Sequence, residues 1–127
     1  MTEALTGVRL LLVEDEAMVA MMVEDLLADL GCVVVEVAGT LSRGLALASD
    51  AALPIDGAIL DVNLGGEKVY PVAEALAARG VPFIFATGYG LAGISEAFSH
   101  VPALAKPYEQ SALERILTAA IHRPSAA

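Results

Sequence analysis

The sequence of 127 residues contains a single cysteine, Cys32, so no disulfide can form within the chain. Cys32 precedes the apolar run 33–35, where a cysteine packs as a small hydrophobic side chain, and we predict that it is buried rather than redox-active. The two histidines, His100 and His122, stand far apart without neighbouring ligand residues, so the sequence does not indicate a zinc site.

Basic residues are scarce: seven lysines and arginines stand against sixteen aspartates and glutamates, which gives a formal net charge of -9. This charge would repel the phosphates of nucleic acid, so we expect protein partners and no nucleic acid. The longest uncharged stretch, 80–95, contains Pro82 and four glycines and does not predict a membrane span. The N-terminal residues lack a secretory signal pattern, so a cytoplasmic location is expected.

The length fits one domain, residues 1–127, with a core at about 7–122. Short apolar runs alternate with longer segments of helical periodicity, which predicts an α/β fold. Its five parallel strands are predicted at residues 8–13, 33–37, 58–60, 83–86 and 103–105. Right-handed crossovers then give the compact strand order 2-1-3-4-5, with helices on both faces of the sheet.

Helices are predicted at residues 16–30, after Thr40 as N-cap, at 69–78 and at 111–122. A fourth helix, between Thr87 and Lys106, should be short and frayed because glycines and a proline crowd that segment. We expect inward-facing stripes at Met18, Met22, Leu26 and Leu30 of the first helix and at Leu41, Leu45 and Ala48 of the second. The last helix has a wider apolar stripe than one core face needs, which favours a docking or homodimer surface on the fourth helix, fifth strand and last helix.

Acidic residues follow two of the predicted strands: Glu14 and Asp15 come after the first, and Asp61 after the third. These strands are neighbours in the predicted order, so the three carboxylates should meet at one edge of the sheet. Clustered carboxylates repel one another unless a cation or protons neutralise them. Hard divalent cations prefer carboxylate oxygens, so the sequence predicts a metal site, most simply for Mg²⁺.

The fourth and fifth strands should deliver Thr87 and Lys106 to the same edge. Once a metal screens the carboxylates, an anionic phosphoryl group can approach Asp61, which then acts as a nucleophile. Lys106 supplies a point charge, and the Thr87 hydroxyl donates a hydrogen bond to the phosphoryl oxygens. The predicted product is an acyl phosphate on Asp61.

Four short motifs together resemble those of response-regulator receiver domains: Leu-Val-Glu-Asp-Glu at 12–16, Leu-Asp-Val-Asn at 60–63, Ala-Thr-Gly at 86–88 and Lys-Pro-Tyr at 106–108. The resemblance covers nearly the whole chain and implies a flavodoxin-like receiver fold. It implies that Asp61 accepts phosphate from a histidine kinase or a phosphotransfer protein. It also implies that Glu14 and Asp15 hold Mg²⁺ and that the Asn63 backbone carbonyl completes the metal site.

The resemblance further implies that Thr87 and Lys106 sense the phosphoryl group and that the peptide bond before Pro107 is cis. Receivers usually carry an aromatic residue three positions before the lysine, but this chain has Ala103, and Tyr89 is a candidate replacement. Residues 64–66, Leu-Gly-Gly, replace the more frequent Met-Pro and predict a looser loop beside Asp61. Residues 85–90 are similar to the motif of the receiver subgroup called FAT GUY, although Gly90 stands where that motif ends in tyrosine.

No output domain follows in the sequence, so the leading hypothesis is a stand-alone phosphoacceptor that is not an enzyme and acts through protein contacts. One alternative is a pseudo-receiver that carries no phosphate and works as a constitutive binding module. Another is a Mg²⁺-dependent phosphohydrolase with Asp61 as nucleophile. We identify no separate acid or base that would give such an enzyme rapid turnover.

Overall fold

The computed structural model describes residues 4–88, 94–106 and 108–122. Its main sheet has five parallel strands: β1 (Arg9–Val13), β2 (Val33–Ala38), β3 (Gly57–Asp61), β6 (Phe83–Thr87) and β7 (Ala103–Ala105). A short antiparallel hairpin, β4 (Asn63–Leu64) and β5 (Glu67–Lys68), follows β3. The main sheet runs in the order β2-β1-β3-β6-β7, so its five strands in chain order are arranged 2-1-3-4-5, which confirms the predicted fold class.

Among the described residues, three α-helices lie between strands, α1 (Ala17–Asp29), α2 (Leu41–Ala48) and α3 (Tyr70–Ala78), and α4 (Gln110–Ile121) follows the last strand. Thr40 caps α2 as predicted, because its side-chain oxygen accepts a hydrogen bond from the Arg43 backbone N–H at 3.1 Å. Where the sequence predicted a short fourth helix, the described residues 94–106 contain one 3-10 turn, Glu96–Phe98. None of the described helices is both long and apolar enough to cross a bilayer.

Two hydrophobic clusters pack on opposite faces of the sheet. Neighbouring residues of β1 point to opposite sides, so Leu10 and Leu12 join the cluster under α1 and α4, whereas Leu11 and Val13 join the cluster under α2 and α3. β3 is buried along its whole length, as expected for a central parallel strand. Cys32 is buried in the first cluster, and burial raises the pKa of its thiol to about 11, which agrees with the predicted packing role.

The prediction of which side of α1 faces the core is wrong for part of the helix. Met18 is 84% exposed and Met22 is 41% exposed, whereas the buried residues of α1 are Ala20, Val23 and Leu27. Leu26 and Leu30 pack partly against the core, as predicted. α1 carries apolar residues on more than one side, so periodicity alone could not choose the buried side.

A similar correction applies to α2, where Leu45 is 38% exposed while Leu47 and Ala48 are buried. The close approach of this helix to the core depends on Gly44, since a Cβ there would lie 3.3 Å from Val72 Cγ2 and 3.4 Å from Val13 Cγ1. The helix therefore turns Gly44, Leu47 and Ala48, rather than Leu45, toward the core.

The wide apolar stripe of α4 serves the core. Leu113, Leu117 and Ala120 are buried, and Ala112, Ile116 and Ile121 pack against the same cluster. The exposed large hydrophobic residues of the described part lie instead on α1, β2 and α2: Met18, Met21, Met22, Val33, Val37 and Leu45. The width of the stripe is thus no evidence for a homodimer through the last helix, and that dimer stays a prediction.

Candidate functional site

The backbone of the sheet fixes the positions of the candidate site residues. Asp61 and Thr87 are the last residues of β3 and β6, which are neighbours in the sheet. The Glu14 N–H donates a hydrogen bond to Ala38 O at 2.9 Å, and the Lys106 N–H donates one to Thr87 O at 3.0 Å. The carboxyl ends of the strands therefore present these side chains at one edge, where ligands bind in such folds.

Lys106 bridges two buried carboxylates. Its Nζ lies 2.9 Å from Asp61 Oδ2 and 2.9 Å from Glu14 Oε1. Glu14 and Asp61 are almost fully buried, whereas the lysine side chain is 18% exposed and thus faces the opening. The structure brings together the three groups that the sequence predicted to lie close in space.

The electrostatics of this trio are unbalanced, because two carboxylates face one ammonium group. Burial raises the pKa of Glu14 to about 7, and the Asp61 carboxylate adds to the increase, while the nearby Lys106 ammonium group and the hydrogen bond from the Glu16 N–H act against it. Burial lowers the pKa of Lys106, but Glu14 and Asp61 outweigh this effect and raise it overall. The lysine stays charged, so a further cation or a proton is needed to neutralise the pair.

Burial also raises the pKa of Tyr108, and the negative charges of Glu14 and Asp61 add to this effect. The phenol therefore stays neutral. Tyr108 is 8% exposed and belongs to the cluster under α1 and α4. Tyr108 is therefore a buried, uncharged side chain close enough to Glu14 and Asp61 to be affected by their charges.

Three acidic residues form a group that could hold a metal ion. One carboxylate oxygen each from Glu14, Asp15 and Glu16 lies within 4.8 Å of the others. The Lys106 contact to Glu14 Oε1 is an ion pair without hydrogen-bond geometry, so this buried oxygen has no directed donor among the described residues. A buried carboxylate oxygen without a hydrogen-bond donor, together with the neighbouring hard oxygen ligands, fits a divalent cation such as Mg²⁺.

Glu16 was not among the predicted ligands, although its place in the run Glu14-Asp15-Glu16 was a signal that could have identified it. Its backbone N–H donates a hydrogen bond to Glu14 Oε2 at 3.1 Å, so the chain folds back on itself here. Asp61 lies outside the group of three and connects to it through Lys106. Both observations refine the predicted ligand set.

The loop after Asp61 is a closed hairpin rather than the looser segment that the sequence predicted. Gly65 (φ 56°) and Gly66 (φ 94°) adopt the left-handed conformations that a two-residue hairpin turn requires. The Gly65 N–H donates a hydrogen bond to Asp15 Oδ2 at 2.9 Å, and the Val69 N–H donates one to Val62 O at 3.0 Å. The two glycines thus form the turn, and Gly65 connects it to the acidic group.

An open cleft of about 640 Å³ lies at this edge of the sheet. The hairpin forms one of its walls through Asn63, Gly65 and Lys68. The Asn63 N–H donates a hydrogen bond to Asp61 Oδ1 at 3.3 Å. The other lining residues are Asp15, Glu16, Asp61, Val62, Thr87, Gly88 and Lys106. All the predicted site residues except Glu14, which is buried behind them, therefore face one cleft.

An aromatic cluster beside this cleft was not predicted. Tyr70 stacks on Phe98 with ring centroids 5.5 Å apart and meets Phe85 edge to face at 5.9 Å. Phe83 contacts both phenylalanines. Ala103, where receivers usually carry an aromatic residue, pairs with Phe85 in the sheet. Tyr89, the predicted replacement, lies outside the described residues, as does Pro107.

Comparison with known proteins gives matches among solved structures. SdrG from Sphingomonas melonis Fr1 has 47% sequence identity over 95% of this chain and 98% of its own, with a TM-score of 0.78. The BeF3-activated conformation of SdrG from Pseudomonas melonis Fr1 has 44% identity over 91% of this chain and 98% of its own, with a TM-score of 0.76. No family model and no curated protein matches the sequence.

Two further matches are receiver domains of other proteins. The signal receiver domain of a modulated diguanylate cyclase from Desulfovibrio desulfuricans G20 has 28% identity over 91% of this chain and 94% of its own, with a TM-score of 0.76. The PhyR response regulator REC domain of Erythrobacter litoralis shares the fold, with a TM-score of 0.80 at 24% identity over 98% of this chain and 99% of its own. The chain belongs to the response-regulator receiver domains.

Proposed function

We propose that the protein is a phosphoacceptor that takes a phosphoryl group on Asp61, in a Mg²⁺-dependent reaction, from a histidine kinase or a phosphotransfer protein. The observation that carries the proposal is the position of Asp61. Its carboxylate lines an open cleft while one oxygen is held 2.9 Å from Lys106 Nζ. A nucleophile needs this combination of access and fixed orientation.

In the proposed mechanism, Glu14, Asp15, Asp61 and the Asn63 carbonyl would hold Mg²⁺, with Glu16 as a further candidate. The bound ion would supply positive charge that offsets the carboxylates and the phosphoryl oxygens. A carboxylate oxygen of Asp61 attacks phosphorus as the phosphorus–nitrogen bond to the donor histidine breaks, and the imidazole leaves with the electron pair of that bond. Lys106 pairs with the developing charge, and Thr87, buried at the end of the neighbouring strand, is placed to donate its hydroxyl hydrogen to a phosphoryl oxygen.

We propose that the phosphorylated protein acts through contacts with other proteins. The exposed side chains near the cleft also suggest where a protein that donates the phosphoryl group would bind. Met18, Met21 and Met22 are exposed on α1, which begins directly after Glu16 at the rim of the cleft. A protein that brings a phosphohistidine to Asp61 would cover this part of α1. Methionine side chains suit such an interface because they are flexible and polarizable.

The test is incubation of the purified protein with Mg²⁺ and acetyl phosphate, followed by intact mass measurement, and with beryllofluoride, followed by an amide spectrum. We expect the mass to increase by one phosphoryl group, and Asp61→Ala should abolish the increase. Asp29→Asn, which removes an exposed carboxylate at the end of α1, is the matched control and should label normally.

The alternatives predict different results. A pseudo-receiver that serves as a constitutive binding module would show no change in mass or amide spectrum. A phosphohydrolase would release inorganic phosphate from a small phosphate ester in steady turnover. Either result would overturn the proposed function.

A further inference from the structure

Lys68 is a second lysine in the cleft, and neither the sequence motifs nor the proposed mechanism uses it. It ends β5 and lines the cleft together with Asp61 and Lys106. Unlike Lys106, it is exposed, and the ion pairs found among the described residues do not include it. Its charge is therefore available to a ligand that enters the cleft.

The hairpin holds Lys68 in a defined place. Lys68 pairs with Asn63 across the two strands, and Asn63 in turn donates its N–H to Asp61 Oδ1. Leu64 and Val69 are buried and anchor the hairpin on the core. Because the backbone on both sides of Lys68 is fixed, its side chain extends from a defined point at the edge of the cleft that Asp61 also lines.

The charges in the cleft explain why a second cation is useful. Asp15, Glu16 and Asp61 line the cleft, and Lys106 is already engaged by Asp61 and by the buried Glu14. A phosphoryl donor arrives as a dianion, which these carboxylates repel. An exposed lysine at the rim opposes this repulsion along the approach path.

Resting on the proposed function, we propose that Lys68 is a recognition residue for the phosphoryl donor. Its ammonium group attracts the dianionic phosphoryl group of an acyl phosphate or a phosphoramidate and guides it toward Asp61. In the transfer from acetyl phosphate, an Asp61 oxygen forms the new bond to phosphorus as the bond to the acetate oxygen breaks. The electron pair of that bond leaves with acetate, so no further reactant is required.

The experiment compares labelling rates of the 127-residue chain with acetyl phosphate and Mg²⁺ over a range of donor concentrations. Lys68→Gln should lower the second-order rate constant roughly two- to fivefold at low ionic strength, as expected for an exposed charge contact. Lys68→Arg should keep a rate near that of the wild type. Lys68→Glu should label more slowly than Lys68→Gln.

Arg115→Gln is the matched control. Arg115 is exposed on α4, it is not among the residues that line the cleft, and its loss changes the net charge by the same amount. We expect its labelling rate to equal that of the wild type. The deficit of Lys68→Gln should disappear near 1 M salt, where screening acts within about 3 Å, while a structural defect would persist.

Each outcome decides a separate question. Equal rates for wild type, Lys68→Gln and Arg115→Gln at low salt would overturn the role of Lys68 and leave the proposed function intact. An equal loss in Lys68→Gln and Arg115→Gln would also overturn it, because the effect would then be one of net charge. A wild type that takes no label would overturn the proposed function, and this inference would fall with it.

Discussion

The hydroxyl oxygen of Tyr70 accepts a hydrogen bond from the Ser95 backbone N–H at 2.7 Å. This bond joins the start of α3, directly after the hairpin, to the segment that precedes the 3-10 turn. The Tyr70 ring also stacks on Phe98 of that turn. The contact thus connects the wall of the cleft with the chain that follows β6.

Tyr70→Phe should release this segment without disturbing the ring contacts. The substitution removes the hydrogen-bond acceptor of the Ser95 N–H and should lower the free energy of unfolding by about 1 kcal/mol. Amide exchange at Ser95 should become faster, whereas exchange in β1 should follow global stability only. Unchanged exchange at Ser95 would show that the bond contributes nothing to the order of the segment.

Lys106→Ala should separate phosphorylation from the conformational response. Asp61 keeps its position at the end of β3, so labelling should persist at a reduced rate, but the cation that pairs with Asp61 is lost. Without Mg²⁺ the free energy of unfolding of the variant should be lower by about 3 kcal/mol at neutral pH, because two buried carboxylates lose their cation. The measurement compares amide spectra before and after the addition of beryllofluoride. A spectral change equal to that of the wild type would show that Lys106 is not needed for the conformational response.

The stability of the metal-free protein should fall as pH rises through the range set by Glu14. Its pKa is raised from 4.5 to about 7 in the folded state, so folding takes up a proton between these values. The unfolded state therefore binds fewer protons in this window, and the free energy of unfolding decreases with pH by up to about 1.4 kcal/mol per unit. Chemical denaturation at several pH values between about 4 and 8 would measure the slope.

Glu14→Gln is the control for this pH dependence. The amide has nearly the same shape and does not titrate, so the variant should show a flatter profile across the window. Asp56 does not interfere, since Arg9 lowers its pKa from 3.8 and its contribution is lost only below that value. An identical slope in wild type and Glu14→Gln would assign the proton uptake to another group.

The predicted strands and the placement of the acidic residues agree with the structure because both follow from patterns that span few residues. A buried parallel strand is a continuous apolar run, and a residue at its end or directly after it lies at the carboxyl edge, as Asp61 and Glu14 do. The core face of α1 could not be predicted in this way, since apolar residues occur on more than one side of the helix. Ala20 is buried and Met18 is exposed. Which of them faces the core depends on how the helix packs on the sheet, and the local sequence does not specify this.

The hairpin and the aromatic cluster could not be predicted from the sequence for a different reason. Gly65 and Gly66 indicated flexibility, but their N–H groups and conformations serve a tight turn that Asp15 holds by a contact fifty positions away along the chain. Tyr70 likewise meets Ser95 across twenty-five positions. Such contacts depend on tertiary proximity, and nothing in the local sequence specifies the two partners together.

Magnesium should stabilise the folded protein by mass action, since the unfolded chain has no preformed site. The free energy of unfolding should increase by about 1.4 kcal/mol for each tenfold rise in Mg²⁺ above the dissociation constant. Thermal unfolding at constant ionic strength, adjusted with a monovalent salt, separates this effect from screening.

Asp15→Asn should weaken the Mg²⁺ response and leave the hairpin in place, because an amide oxygen can still accept the Gly65 N–H. Asp50→Asn is the matched control, as Asp50 is exposed and accepts a hydrogen bond from the Ala52 N–H outside the cleft. A melting temperature of the wild type that stays constant as Mg²⁺ increases would contradict the metal site. If Asp50→Asn lost the response as fully as Asp15→Asn, the ion would be acting on the general negative charge of the protein rather than on the acidic group beside Asp61.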